Sequence, residues 1–329
     1  MDNPLDNSWF NIVYKISLAE EMEVRKWIDE LENELSQKNR FFPDGKVLKL
    51  VDGLVNAPHK ILKKGTKIFR ARIIDKYHER QYFNSLENDI NRMISNHIPD
   101  FDIKNGNYAL MTLSEYMQKN KINYIFNAEE QKIIRNKYGV KGWWGYNEME
   151  SDAPPQNVAG EGRINPRGIS YLYTSSNKKT AALEVRPVIS QYVSIAEIEV
   201  KSDLKLFDFT AQYDLECSPK EWDCSIILSV LSDYFSRPNY SGDSAYLATQ
   251  YISEYIKHIK KNDGRNMFDG LCFKSSLDNE GLNYVLFDIS ETKKYKINNS
   301  SIYQMLDLNG KLQQQLPLIN EMEKGSIGQ

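Results

Sequence analysis

The stretch from Gly160 to Pro187, GEGRINPRGISYLYTSSNKKTAALEVRP, constrains the chain more than any other. Arg163-Ile164-Asn165-Pro166-Arg167-Gly168 is punctuated by proline and glycine and reads as a loop. Ile169 to Thr174 is short, apolar and β-prone, so it reads as a strand closed by Tyr173. Ser176 or Asn177 can cap a helix over Lys179 to Val185, which Pro187 stops. One compact strand-and-helix unit thus gathers an arginine, a tyrosine and Glu184, and the rest of the chain reads as scaffold around it.

With 329 residues, of which 41% are apolar and 26% charged, the chain can bury a real core as one large domain or two. It has no run long and apolar enough to span a bilayer, and MDNPLDNSWF lacks a basic start and an apolar stretch, so a cytoplasmic location without membrane attachment is expected. Cys217, Cys224 and Cys272 have no paired C-x-x-C spacing and no nearby histidines, which fits a reduced compartment and gives no reason to expect a metal. A net charge of −3, with lysines dispersed apart from pairs such as Lys63-Lys64 and Lys260-Lys261, argues against nucleic acid as a partner.

Ser17-Leu18-Ala19-Glu20 has the capping-box pattern, and the segment to Lys38 carries Met22, Trp27, Ile28, Leu31 and Leu35 at helical spacing. Residues 1–62 therefore read as an N-terminal helical extension, which either covers an edge of the main domain or offers a surface to a partner or a second copy. Lys67 to Ile73 alternates apolar and basic residues as an opening strand; Arg70, with Arg72 on the same side, either grips a phosphate or is a solvated strand charge. A helical insertion is expected over about 77–144, where His78 and His97 show no metal-ligand pattern. Gly142-Trp143-Trp144-Gly145-Tyr146 closes it, with Trp144 a candidate to stack on a flat base, or else a core aromatic. Strands are expected over Tyr192 to Val200, Leu204 to Phe209, Phe268 to Lys274 and Asn283 to Ile289. Helices are expected over Glu221 to Phe235 and from Ala245, capped by Asp243 or Ser244, to about Lys260. From Asn298 a C-terminal tail is expected.

The loop Gly162-Arg163-Ile164-Asn165, the strand-ending Tyr173 and the helix segment Ala181-Ala182-Leu183-Glu184 resemble the RES family, named for an Arg, a Glu and a Ser. The spacings of ten residues from Arg163 to Tyr173 and eleven from Tyr173 to Glu184 agree with that family. So do the preceding Glu150-Ser151-Asp152-Ala153-Pro154-Pro155, the Phe69-Arg70 pair and the closing string DGLCFKSS…GLNYVLF, which points to Ser275 as the family serine, with Ser276 second. Tyr246 and the Thr249-Gln250 pair match a further helix of the family, and Gln250 is either a bridge to the site or a surface amide. The similarity covers roughly Lys67 to Ile289; Ile164 departs from it, standing where members often carry an aromatic residue or alanine.

The resemblance implies an α+β, ADP-ribosyltransferase-like fold: a RES domain over 63–297 of mostly antiparallel strands flanked by helices, followed by a C-terminal helix or tail over 298–329. It also implies a bacterial toxin or defence effector that depletes NAD by hydrolysis or phosphorolysis, with NAD as substrate, no further cofactor and sometimes an antitoxin partner. The residue types suit that chemistry. They include no His or Cys nucleophile and no metal cluster, whereas cleavage of the nicotinamide–ribose bond needs a carboxylate beside an oxocarbenium-like centre and cations for the diphosphate. In this reading Glu184 stabilises the cation, Arg163 and Arg70 bind phosphate, Tyr173 positions the nicotinamide end and Ser275 orients Glu184 or the substrate, with Arg72, Trp144, Asn165, Tyr246, Gln250 and Ser276 as further contacts. If Arg70 points away, Arg163 alone holds the phosphates. Whether water, inorganic phosphate or a protein accepts the ADP-ribosyl group stays open, as do a module that binds a nucleotide without cleaving it and the state of oligomerisation.

Overall fold

The computed structural model describes residues 4–43, 46–75, 145–211, 218–237, 246–287 and 293–306, with short pieces between 88 and 133. Helix α1 spans Pro4–Gln37 and α2 spans Lys46–Gly53. Strands β1 (Lys60–Leu62) and β2 (Lys67–Ile73) precede the short α3 (Glu148–Ser151). Then come β3 (Leu172–Ser175), α4 (Lys178–Glu184), β4 (Tyr192–Val200) and β5 (Leu204–Asp208). The chain continues through α5 (Pro219–Ser236), α6 (Leu247–His258), β6 (Gly270–Lys274), β7 (Leu282–Leu286) and β8 (Tyr295–Gln304). The fold is α+β.

The strands form one sheet in the order β1-β5-β6-β7-β3-β2-β4-β8. Every pairing is antiparallel except β5 with β6, which is parallel and separated in sequence by α5 and α6. One face of the sheet contributes Leu62, Ile68, Leu172, Ile198, Leu206 and Ile297 among others to a cluster that draws on all eight strands. β1 and β2 stand five places apart in the order, about 24 Å in a flat sheet, yet the five residue steps from Leu62 to Lys67 reach at most about 18 Å, so the sheet must curl around this core. The other face meets the helices. Tyr171, Phe207, Leu271, Phe273 and Val285 pack against α1, α2, α5 and α6, while Ala71, Val193 and Ile195 take Ala181 and Ala182 of α4.

The N-terminal helices are built into this core. Val24, Ile28, Leu31 and Leu35 recur at spacings of four and three along one face of α1 and are buried against α5 and α6. Each such Ile or Leu contributes about 2 kcal/mol through apolar burial. Arg25 pairs with Asp233 at 2.7 Å and Tyr255 donates to Asp52 at 2.7 Å. Met22 lies on the exposed side.

Three local expectations are corrected. The Ser17–Glu20 capping box lies inside α1, because no glycine or proline between Leu5 and Ser17 interrupts the helix and Pro4 sits at its first residue, where a missing N–H costs nothing. β8 continues the sheet beyond Asn298, where a tail is expected; it is an edge strand, so its residues alternate between burial and solvent and read as polar. Tyr173 does not close its strand: β3 begins at Leu172 and runs on to Ser175, because the ladder to β7 pairs Leu172 through Ser175 with Leu286 through Asn283. Most of the 77–144 stretch, with His78, His97, Trp143 and Trp144, lies outside the described residues, as do Asp243, Ser244 and Cys217.

Candidate active site

Glu184 is the last residue of α4, and local chemistry places it there. Asn177, not Ser176, caps the helix by accepting from the Thr180 N–H at 2.8 Å. Beyond Glu184, Arg186 takes the left-handed conformation at φ 50° and Pro187 prevents continuation. With Ala181 and Ala182 packed on β2 and β4, the carboxylate faces the turn that joins β6 to β7.

Its Oε1 accepts two hydrogen bonds, from Ser275 Oγ at 2.6 Å and from Asn283 Nδ2 at 2.7 Å. Both donors are themselves fixed. Ser275 Oγ accepts from the backbone N–H groups of Leu277 at 3.1 Å and Asp278 at 3.2 Å, which occupies its lone pairs and aims its proton at Glu184. Asn283 Oδ1 accepts from Ser175 Oγ at 2.8 Å, which sets the amide so that its NH2 faces the carboxylate. Among the described residues Oε2 of Glu184 has no hydrogen-bond partner, so one oxygen is held and the other can face a ligand. Of the two candidate serines, Ser275 is buried against Glu184, while Ser276 is exposed and does not join the carboxylate.

The turn that carries Ser275 is pinned to α4. Thr180 Oγ1 donates to Asp278 Oδ2 at 2.5 Å, and Lys179 lies 3.5 Å from the same carboxylate. The Thr180 hydrogen bond, more than Lys179, holds the Asp278 carboxyl below its ordinary pKa.

Tyr173 lies two residues before Ser175 on the same face of β3, about 7 Å along the strand. Its hydroxyl donates to Asn165 Oδ1 at 2.6 Å and accepts from the Ile164 N–H at 3.2 Å, and burial keeps the phenol protonated far above its ordinary range. The hydroxyl is therefore spent on the loop, and only the ring remains to meet a substrate. Asn165 is likewise committed, because Nδ2 donates to the carbonyls of Gly160 at 2.9 Å, Ile169 at 2.7 Å and Pro166 at 3.2 Å. It organises the loop and is not available to bind substrate. A Cβ on Gly162 would lie 2.6 Å from Asn165 Oδ1 and 2.7 Å from Tyr173 Oη, so this position admits only glycine.

From the other side α6 clamps the loop. Gln250 Nε2 donates to Gly162 O at 2.8 Å and to Glu161 Oε1 at 3.0 Å, and Thr249 Oγ1 donates to Arg163 O at 2.7 Å. Gln250 is thus the bridge and is buried, not a surface amide. Tyr246, at the start of the same helix, lies close enough to Tyr173 to disfavour its phenolate. Among the described residues the Arg163 side chain makes one hydrogen bond, from Nη1 to Phe235 O at 2.5 Å, and its buried Nε has no partner. Ser275 also lines a groove of about 530 Å³ beside α5, bordered by Thr210, Ser232, Ser236 and Lys274.

Arg70 and Arg72 do not join this constellation. Phe69 and Ala71 share the face with α4, and strand alternation sends Arg70 and Arg72 to the opposite face. There Arg70 donates to Ser151 O at 3.1 Å and to Asp152 O, and Arg72 donates to Glu150 O while its guanidinium lies 4.4 Å from the centre of the Tyr146 ring. Burial, then the neighbouring Arg72, lowers the Arg70 pKa to about 10. These two arginines fasten α3 to the sheet. Trp144 lies outside the described residues.

Asn283 and Ser175 went unnoticed in the sequence, although a polar residue in the otherwise apolar run after Gly281 was the available signal. Among the described residues no cluster of three His, Cys, Asp or Glu could hold a metal ion, and no helix is long and apolar enough to cross a membrane.

The RES domain family model matches residues 135–308. Among solved structures the chain is similar to one in the crystal structure of the M. tuberculosis MbcT–MbcA toxin–antitoxin complex, at 13% identity and a TM-score of 0.30, covering 46% of this chain and 76% of that one. No curated protein matches.

Proposed function

Because the chain belongs to the RES-domain family, we propose that it degrades NAD by cleaving the bond between nicotinamide and ribose, using Glu184 as the group that stabilises the ribosyl cation. The observation that carries this reading is the Glu184 carboxylate, with Oε1 held by Ser275 and Asn283 and Oε2 open on the face that also bears Tyr173 and the Arg163 loop.

When the glycosidic bond breaks, its electron pair goes to the pyridinium nitrogen, so nicotinamide leaves neutral and no strong general acid is needed. The positive charge that was on the ring moves to the ribose C1′ and its ring oxygen. A carboxylate held beforehand beside that centre needs no reorganisation as the charge develops. Arg163, with a buried donor still unpaired, serves the diphosphate, and the Tyr173 ring borders the nicotinamide end. Water, losing a proton to solvent, or inorganic phosphate then attacks C1′, giving ADP-ribose or the phosphate ester at that same carbon. The same resemblance supports a toxin acting on the cytoplasmic NAD pool under restraint by an antitoxin.

The test is NAD consumption by the purified chain, with and without phosphate, for wild type and Glu184→Gln, following nicotinamide and ADP-ribosyl products by mass spectrometry. Glu184-dependent loss of NAD is expected, and a phosphorylated product identifies phosphorolysis. Equal turnover by wild type and Glu184→Gln would remove Glu184 from the chemistry. In cells, growth arrest by wild type and not by Glu184→Gln is the expected sign of toxicity.

A further inference from the structure

A groove at the opposite end of the strands from Glu184 is basic. It encloses about 870 Å³ at the ends of β5, β6 and β7 where Leu204, Gly270 and Leu286 lie, whereas Glu184 and Ser275 sit at the other end of β6, about 16 Å away along the strand. It is separate from the candidate active site.

Seven cations line it in a chain whose net charge is −3. Four have acidic partners: Lys63 with Asp203 at 2.8 Å, Lys294 with Asp269 at 2.5 Å, Arg265 with Asp263 at 2.6 Å and Lys257 with Glu254 at 3.6 Å. Lys257 also stands in the last turn of α6, where a cation offsets the partial negative charge of the helix end. Among the described residues the remaining three, Lys205, Lys260 and Lys261, have no acid within ion-pair distance.

Their positions are built by the fold. Lys205 lies on β5, with its ammonium 4.9 Å from the centre of the Phe268 ring. Lys260 and Lys261 lie on a small turn closed by the Lys260–Asn266 bridge and by the Lys261 N–H donating to Arg265 O at 2.9 Å. Lys260 Nζ is steadied by Asn266 Oδ1. Burial, and after it the nearby charge of Lys261, lowers the Lys205 pKa, so two like charges crowd together here. Such crowding raises the energy of the empty groove and is relieved by an anion bearing several charges within a few ångströms.

We propose that this groove is a binding site for a small molecule carrying an oligophosphate group, held by Lys205, Lys260 and Lys261. Lysine and arginine are both phosphate ligands, and the volume falls in the range of small-molecule pockets. A nucleic acid would need a longer basic track, and Asp203, Asp263 and Glu254 interrupt one here.

The experiment is calorimetric titration of the full chain with inorganic tripolyphosphate, for wild type, Lys260→Gln/Lys261→Gln, Lys38→Gln and Arg163→Ala. Both substituted groove lysines are exposed, so the fold tolerates the change. Saturable binding is expected, weakened about tenfold or more in the groove variant, since each lost charge-assisted contact costs at least that. Lys38→Gln is expected to bind as wild type does, and Arg163→Ala to retain the binding that the groove variant loses. Unchanged binding in the groove variant, or loss confined to Arg163→Ala, would overturn the proposal, the latter by assigning the anion to the candidate active site. Tighter binding of a 20-nucleotide DNA, lost in the same groove variant, would overturn the small-molecule class.

Discussion

Asn283 stands opposite Ser175 in the ladder between β7 and β3 and divides its amide between two partners, accepting from Ser175 Oγ at 2.8 Å and donating to Glu184 Oε1 at 2.7 Å. Asn283→Asp keeps the shape but replaces the donor by a second carboxylate. NAD turnover should fall by about 100-fold, the usual loss for a preorganised charge-stabilising contact. Two carboxylates this close cannot both ionise easily, so the acid limb of the pH–rate profile should move to higher pH. Ser175→Ala leaves the donor in place without its orienting partner and should cost about tenfold, with the acid limb unmoved. Steady-state rates from pH 4 to 8 test both, and equal effects of the two variants would deny Asn283 its direct role.

A Cβ built on Gly281 would lie 2.3 Å from Thr180 Oγ1 and 3.0 Å from Asp278 Oδ2. Gly281→Ala must therefore push the Ser275 turn away from α4. A loss of about 1–3 kcal/mol in unfolding free energy is expected from the overpacking. Adding Thr180→Ala removes the atoms in conflict, so the double variant should be less destabilised than the two single changes together. Urea denaturation of the four proteins gives the coupling, and strict additivity would place the clash elsewhere.

The Asp278 carboxyl has a lowered pKa in the folded chain, caused first by the Thr180 hydroxyl and then by Lys179. A depressed folded pKa means that this group adds stability above its unfolded value, near 3.8, and that the contribution is lost as pH falls through the lower folded value. Asp278→Asn should thus be less stable than wild type at pH 7, with the gap closing below about pH 4. Denaturation midpoints at pH 7, 5, 4 and 3 measure it, and a gap independent of pH would mean that the side chain acts through packing alone.

The β3–α4 unit was legible because its signals are local: an Asn cap, a Pro stop and a short apolar strand each act within a few residues. The core face of α1 was legible for the same reason, since Ile28, Leu31 and Leu35 repeat with the helix. Long-range choices were not. Strand alternation shows that Phe69 and Arg70 face opposite ways, but which side α4 covers depends on the pairing of β2 with β3 and β4. The partnership of Asn283 with Ser175 depends in the same way on the register between residues 108 apart in sequence. β1, three residues long, and β8, with five of its ten residues Asn, Ser or Gln, lack the apolar alternation that would announce a strand.

The placement of the arginines separates two outcomes that the sequence treats alike. Arg70 is half-buried on the face away from Glu184 and spends its Nη1 on the carbonyls of Ser151 and Asp152. Arg70→Ala leaves those carbonyls short of a donor and should cost about 1–3 kcal/mol of stability. Its KM for NAD should remain that of wild type at temperatures where the variant is folded. Arg163 lies on the loop clamped by Thr249 and Gln250 and carries a buried N–H with no partner. Arg163→Ala should raise KM by about tenfold or more, the effect of a lost phosphate contact made before the transition state, with a smaller change in kcat. Thermal melts alongside steady-state kinetics on both variants distinguish the roles. A raised KM in a stably folded Arg70→Ala protein would bring that arginine back to the substrate and require the α3 segment to release it.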